Sequence, residues 1–313
     1  MRNAFARTVT ALSDLHPELV LLAGDIGNRL FDRMKEKHPG RFFNCGVAEA
    51  NMTGVAAGLA ASGLRPITYT ITPFNTVRCL EQIRLDICYP NLPVIIVGTG
   101  SGLSYANLGA THHSMEDIAI LRTLPNMHIV CPADPTEARL AVADALRLGR
   151  PTYIRLGKKG EPNVHSSDPD FQIGRGIIMR EGSTVAILSV GNMLEPALQC
   201  AEQLDHQGVS TKVVSLHTVK PLDDALLTSL FAEYELVVVV EEHGLMGGAG
   251  SAVLEWGDLQ RVDLRKLLRI GGPDRFLFAC GDQEEARETL GLTPQAISQR
   301  ILDRLKGRHA SGA

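Results

Sequence analysis

The sequence predicts an α/β protein made of two parallel-sheet α/β domains. Two observations carry that expectation. Short apolar runs of strand length alternate with segments of helical period, the pattern of right-handed crossovers with helices on both faces of a sheet. The alternation breaks once, over 157–176 ("GKKGEPNVHSSDPDFQIGRG"), where Gly, Pro, Ser and Asp crowd and no period survives, and then it restarts. The expected division is a domain over 1–157, a linker over 158–176 and a smaller domain over 177–313, which suits a chain of 313 residues.

Taken in order, "MRNAFARTVTALSD" reads as an amphipathic helix whose apolar positions are interrupted by Arg2, Arg7 and Asp14. A buried strand is expected at 19–23, closed by Gly24-Asp25. A helix of small residues follows from Ala48, with Met52, Val55 and Leu59 on one stripe, and is expected to be buried, at a subunit interface. Strands are predicted at 66–70, 94–97, 127–130 and 152–156. Between them, Val77, Leu80, Ile83 and Ile87 recur at helical spacing and stop before Pro90, and a helix over 136–148 starts after Asp134-Pro135 and ends at Gly149. The second domain is expected to place strands at 184–190, 211–216 and 236–240, with helices at 194–204 and 223–231.

Composition excludes several classes of function. Net charge is −4 with no Lys/Arg block, so nucleic acid and anionic membrane surfaces are not expected partners. The longest apolar runs, such as 236–240, are too short to span a bilayer, and the N-terminus lacks the form of a secretory signal. The six cysteines, at 45, 79, 88, 131, 200 and 280, form no CxxC pair. Neither a zinc site nor a disulfide framework is signalled, and a cytoplasmic protein with reduced thiols is expected.

Five stretches invite a chemical reading. "VGTGSGLS" places Gly98, Gly100 and Gly102 after a strand, but Leu103 stands where a dinucleotide fingerprint needs glycine. "HGLMGGAGS" reads as a close-packed start to a helix. "FFNCGVAEANMTGVAAGLA" holds a single carboxylate, Glu49, in the first turn of its helix. That residue is either a helix-terminus charge favoured by the macrodipole or a carboxyl tuned by burial to exchange a proton with a bound base. His112 and His113, in "NLGATHHSMEDIAILR", are either hydrogen-bonded loop residues or ligand contacts where an α/β fold binds its ligands. Phe74, in "TITPFNTVRCLEQIR", is either a core aromatic or a platform for a ligand.

The last three of these segments, together with "PTYIRLG", "KVVSLHTVKPLDDALL" and "VVVVEEHGLMGG", resemble in order and spacing the C-terminal half of transketolases, in particular the beta chain of split transketolases. The resemblance covers essentially the whole chain. It implies a pyrimidine-binding domain of thiamine-diphosphate enzymes followed by a transketolase C-terminal domain. It further implies that Glu49 hydrogen-bonds the cofactor's aminopyrimidine, favouring loss of the thiazolium C2 proton, and that Phe74 stacks on that ring. Asp25, in "LLAGDIGN", matches an aspartate near the thiazolium, and His112 matches a histidine that contacts substrate oxygens. "AGDIGN" is not the Gly-Asp-Gly motif that holds the diphosphate and its metal. The resemblance therefore implies an alpha subunit carrying that site with Mg2+ or Ca2+, in an α2β2 assembly acting on sugar substrates.

The chain departs from the family pattern at two points. Gly100 replaces a histidine and Leu108 an aspartate; Lys158 falls near a phosphate-binding arginine. The departures imply a substrate other than the common pentose phosphates: unphosphorylated, nucleotide-linked or otherwise modified. Gly100→His is expected to shift preference toward phosphorylated sugars. The competing readings are a 2-oxo acid dehydrogenase's decarboxylating beta subunit, a deoxyxylulose-phosphate-synthase-like enzyme, and a non-catalytic partner of an alpha chain.

Overall fold

The computed structural model describes residues 1–27, 29–158, 160–278 and 281–311. Cys280 lies outside the described residues. Two sheets organise the chain. The first contains β1 (Leu19–Ala23), β2 (Phe42–Asn44), β3 (Arg65–Ile71), β4 (Ile95–Thr99), β5 (His128–Val130) and β6 (Thr152–Leu156), in the spatial order β5-β6-β4-β3-β1-β2, all parallel. The second contains β7 (Ile177–Arg180), β8 (Val185–Val190), β9 (Thr211–Ser215), β11 (Leu236–Gly244) and β12 (Leu267–Gly272), in the order β12-β11-β8-β9-β7. It is parallel except for the edge strand β7. A further strand, β10 (Thr218–Lys220), follows β9 in the chain but pairs antiparallel with β5, so the second half of the chain closes an edge of the first sheet.

β1, β4 and β6 are buried from end to end, which is why they read as continuous apolar runs. Alternate residues serve opposite faces. Leu19 and Leu21 join Phe5, Val9, Ile67 and Tyr69 on one side, while Val20 and Leu22 join Met52, Ala56 and Ile83 on the other. The second core is continuous with Ala186 and Val214 of the second sheet and with Trp256 on the Ala249–Gln260 helix, so one apolar body runs under both.

Within this chain the Glu49–Ala61 helix buries Met52, Thr53, Ala56, Ala57 and Ala60 and leaves Asn51, Val55 and Gly58 exposed, so Val55 does not share the burial of Met52. One expectation needed correction. The pattern at 77–87 is not one α-helix. A short helix at Thr72–Asn75 gives way to a tight turn at Val77–Cys79, and Ile83–Cys88 is wound with the wider π period. Ile83, Ile87 and Cys88 still reach the core.

Among its described residues the connection over 157–176 has no helix or strand, yet it is strapped down. Asp134 caps the Pro135–Leu148 helix by accepting the Glu137 N–H at 2.8 Å, and its other oxygen accepts from Val164 and His165 at 2.9 and 3.0 Å. His165 Nε2 meets Glu137 Oε1 at 2.9 Å, and Phe171 stacks on His217 at 4.1 Å. Burial opposes a proton on His165, but the Glu137 hydrogen bond and charge outweigh it and raise its pKa. We predict that Asp134→Ala destabilises the chain by roughly 2–4 kcal/mol, one lost cap plus two orphaned strap N–H groups. Denaturant unfolding checks this; a loss below about 0.5 kcal/mol, the size of an ordinary surface change, would show that the strap carries no load.

Candidate active site

The C-terminal ends of β1, β3, β4 and β6 converge on one region, where parallel α/β sheets place ligands. Each delivers a residue singled out from the sequence. β1 runs into Asp25, β3 into the turn that carries Phe74, β4 into Gly100, and β6 into Lys158. Glu49 arrives beside them at the head of the Glu49–Ala61 helix.

Glu49 is 2% exposed. Gly24 lies against it, since a β-carbon there would sit 3.2 Å from Glu49 Cγ. Its Oε2 accepts a hydrogen bond from Arg78 Nη1 at 2.8 Å, and among the described residues Oε1 has no hydrogen-bond partner. The Arg78 guanidinium also covers the Phe74 ring at 4.3 Å. A ladder of contacts continues from there. Phe74 meets the His112 ring edge-on at 5.3 Å, His112 meets Tyr105 at 5.7 Å, and Lys158 Nζ stands 4.5 Å from the Tyr105 ring. Glu49, Phe74, His112 and Lys158 thus belong to one contiguous surface.

The two histidines separate cleanly. His113 is buried with Nε2 at 2.9 Å from the Ala106 carbonyl, a loop fastening. His112 is half-buried and points to Phe74, with Nδ1 2.9 Å from Thr111 Oγ1. Burial, with His113 adding to it, holds the His112 imidazole below the ordinary histidine range. A neutral ring can donate at one nitrogen and accept at the other. Asp25 is exposed at the mouth in a left-handed conformation (φ 50°), where Asn44 Nδ2 donates to it at 3.1 Å. Leu108 is 47% exposed on the outer side of the loop.

Gly100 requires a correction. Its φ is +76° and a β-carbon there would lie 1.9 Å from Tyr105 Cε2. A histidine cannot be restored at 100 without expelling Tyr105, so Gly100→His displaces the loop and does not report on phosphate preference. Arg78 and Tyr105 were not anticipated from sequence. An arginine on an interrupted helix and a tyrosine in a Gly-rich loop carry no periodic signal; only the fold turns them toward Glu49 and His112.

A planar cation that hydrogen-bonds Glu49 while stacking on Phe74 makes the two contacts that an aminopyrimidine ring would make. Arg78 therefore stands in for such a ring, and the pocket's chemistry, one buried carboxylate beside one aromatic face, fits it. Among the described residues no cluster of three or more His, Cys, Asp or Glu could hold a metal ion.

The family model described as the transketolase pyrimidine-binding domain matches residues 1–162, and that for the transketolase C-terminal domain matches residues 174–297. The chain belongs to the transketolase family. It is 34% identical over 309 residues to a putative transketolase C-terminal section from Methanocaldococcus jannaschii, covering 98% of this chain and 96% of that protein. It is 38% identical over 266 residues to the 6-deoxy-6-sulfo-D-fructose transketolase subunit SqwH of Clostridium sp. MSTE9, covering 85% and 81%. A split-gene transketolase solved as an inactive beta4 tetramer superposes with a TM-score of 0.89 at 36% identity, over 97% of this chain and 98% of that one. The transketolase family implies use of thiamine diphosphate, and its members make this a transferase-type protein.

If Arg78 holds the place of the pyrimidine, binding the cofactor must displace it from both contacts. We predict that Arg78→Leu tightens thiamine diphosphate binding several-fold, since the displaced charge-assisted hydrogen bond is worth roughly 1.5–3 kcal/mol before solvent at this half-exposed side chain discounts it. Calorimetric titration decides; weaker binding would make Arg78 a cofactor ligand instead.

Proposed function

We propose that this chain is the beta component of a split transketolase. In this reading it moves a two-carbon ketol unit from a ketose to an aldose-type acceptor and is active only with an alpha chain. The supporting observation is the assembly of Glu49, Phe74 and His112 on one surface of a chain whose sequence has no Gly-Asp-Gly run. The alpha chain would supply the diphosphate and metal site, in an α2β2 assembly. We place the pair in the cytoplasm, in keeping with five unpaired cysteines among the described residues. No helix of the structure is long and apolar enough to cross a membrane.

Thiamine diphosphate supplies, when bound, the carbon that takes up and hands on the ketol unit. Glu49 then holds a proton between its carboxyl and a ring nitrogen. Its burial makes that shared proton bond stronger than it would be in water. Phe74 offers a flat apolar face that fixes the ring's plane. His112, neutral and edge-on to Phe74, reaches sugar oxygens, and Lys158 stands one residue further out. Asp25 sits at the mouth on the β1 side.

One surface feature supports a narrower substrate reading. At Gly27, two residues beyond Asp25 in the chain, a concavity of about 580 Å3 is lined by Arg2, Arg7, Arg29 and Arg33 with Thr10 and, among the described residues, by no acidic one. None of the four arginines has an ion-pair partner among the described residues. Burial raises the Tyr105 phenol, and the Arg2 charge counters part of that rise. Among the unphosphorylated, nucleotide-linked or otherwise modified sugars expected from Gly100 and Leu108, this arrangement favours one that ends in an anion. The clostridial relative is named for 6-deoxy-6-sulfo-D-fructose, which carries such a terminus.

The purified chain alone should give no turnover. With its alpha chain it should transfer to an anionic acceptor at least about tenfold better in kcat/KM than to the neutral counterpart, the worth of one charged hydrogen bond. Arg2→Gln with Arg29→Gln should erase that preference. Turnover by this chain without a partner, or release of CO2 from a 2-oxo acid by the pair, would contradict the proposal.

A further inference from the structure

The loop that carries Tyr105 and His112 is held at both stems by the second sheet. Gly102 and Ser114 pinch its base, the Ser114 N–H donating to the Gly102 carbonyl at 2.9 Å. On one stem, the Leu103 N–H donates to Glu242 Oε1 at 2.7 Å. On the other, the Met115 carbonyl accepts from the Gly244 N–H at 2.8 Å. Between the stems the chain is a short irregular turn, with Asn107, Leu108, Ala110 and Thr111 exposed. Within the loop, His113 is fastened to the Ala106 carbonyl, Thr111 Oγ1 lies 2.9 Å from His112 Nδ1, and buried Leu103 and Ala106 pack with Ala286; Glu242 and Gly244 fix the stems from which these contacts hang.

Glu242 is wholly buried on β11, and its carboxylate gathers partners from three directions. Gln283 Nε2 donates to both oxygens, at 2.9 and 3.0 Å; Arg287 Nε donates to Oε2; Asn192 Nδ2 reaches Oε1 at 3.3 Å. The loop comes so close that a β-carbon on Gly102 would lie 2.3 Å from Oε1, at a φ of +61°. Only glycine lets the backbone meet this carboxylate. Arg155 ties the same point to the first sheet. It donates to the Glu242 carbonyl at 3.0 Å and the Ser114 carbonyl at 2.8 Å, and pairs with buried Asp117 at 2.7 Å. Burial alone would raise the Asp117 carboxyl, but Arg155 and His243 outweigh it and hold it low, so the pair stays charged.

A buried carboxylate is expensive unless every partner is in place. Here the partners are two side chains of the Gln283–Leu290 helix, one of the turn after β8, and one backbone N–H of the substrate loop. We propose that Glu242 is a positioning residue for the transfer reaction. Through the Leu103 N–H it sets the height and register of the loop, and so the reach of His112 and Tyr105 to the sugar. This gives the second sheet a part in catalysis that touches neither cofactor nor substrate.

The inference rests on the ketol-transfer reading, and the test separates the two. Glu242→Ala and Glu242→Gln are each prepared in the full chain, with Gly102→Ala attacking the same contact from the loop side. Amide hydrogen exchange of the chain alone needs no activity. Glu242→Ala and Gly102→Ala should speed exchange across 103–114 and leave the β3 and β4 amides unchanged. In the assembled pair, kcat/KM for the acceptor should fall about 10- to 100-fold in both, mostly as a higher KM, as small misplacements of reacting groups do. Deuterium exchange at the cofactor's C2, which depends on Glu49 and not on the loop, should stay within about twofold of the parent (the smallest change that counts in free energy). Glu242→Gln, which keeps an oxygen for Leu103, should recover most of the loss. Unchanged exchange across 103–114 would overturn the proposal, as would equal loss of C2 exchange and transfer. A parent pair that protects 103–114 through Glu242 but transfers no ketol unit would refute the function and leave the positioning contact standing.

Discussion

Everything at this site hangs on one carboxylate that the fold takes out of water. Glu49 stands at the N-terminal end of a 13-residue helix, where the helix dipole favours its charge, but the dipole alone does not sustain a carboxylate that is 2% exposed. Its position is enforced by close packing. Ala56, Ala57 and Ala60 let the helix settle onto the first sheet, and Gly24 leaves the space at the end of β1 that the Glu49 side chain fills. A larger residue at any of these points would push the carboxylate out toward solvent. What remains is a buried acceptor with one oxygen met by a displaceable guanidinium and the other without a hydrogen-bond partner among the described residues.

The remainder of the site follows from the ordering of strands. Because β1, β3, β4 and β6 are parallel neighbours, their exits lie side by side, and residues far apart in sequence meet without long loops. Phe74 needs only a single helical turn after β3. The loop after β4 is a long excursion, and it is held by the second sheet through Glu242 and Gly244 and tied back to β6 by Arg155. β10 and the strap over 157–176 fasten the two sheets to each other, so the loop's anchor is fixed relative to the strand ends it must face.

The sequence revealed those parts of the protein that have a period or a chemical signature. Strands buried on both faces, such as β1, β4 and β6, appeared as apolar runs, and the Asp134-Pro135 helix start appeared through its cap. Glu49 stood out because it is alone among small residues, and His112 because its surroundings match a family pattern. The pairing of β10 with β5 was illegible, since three residues at a sheet edge carry no alternation. The π-wound turn at Ile83–Cys88 was hidden because it buries Ile83 and Ile87, the residues an α-helix would bury there. Arg78, Tyr105 and Glu242 were invisible for a different reason. Each matters through a contact with a residue distant in sequence, and an arginine over an aromatic or a glutamate in a strand gives no local sign of its partner.

The central claim is that Glu49 is a proton-handling group and not a helix-end charge. The measurement that reaches it most directly is hydrogen–deuterium exchange at C2 of thiamine diphosphate in the assembled alpha–beta complex, comparing the parent with Glu49→Gln. The amide keeps the shape and hydrogen-bonding reach of the side chain and is easier to bury than a carboxylate. Exchange should slow by about 10²- to 10⁴-fold, the worth of a positioned proton transfer, while the variant remains folded and assembled. If Glu49 were only a helix-terminus charge, stability would shift by roughly 0.3–1 kcal/mol and exchange would run at the parent's rate, and that result would contradict the account.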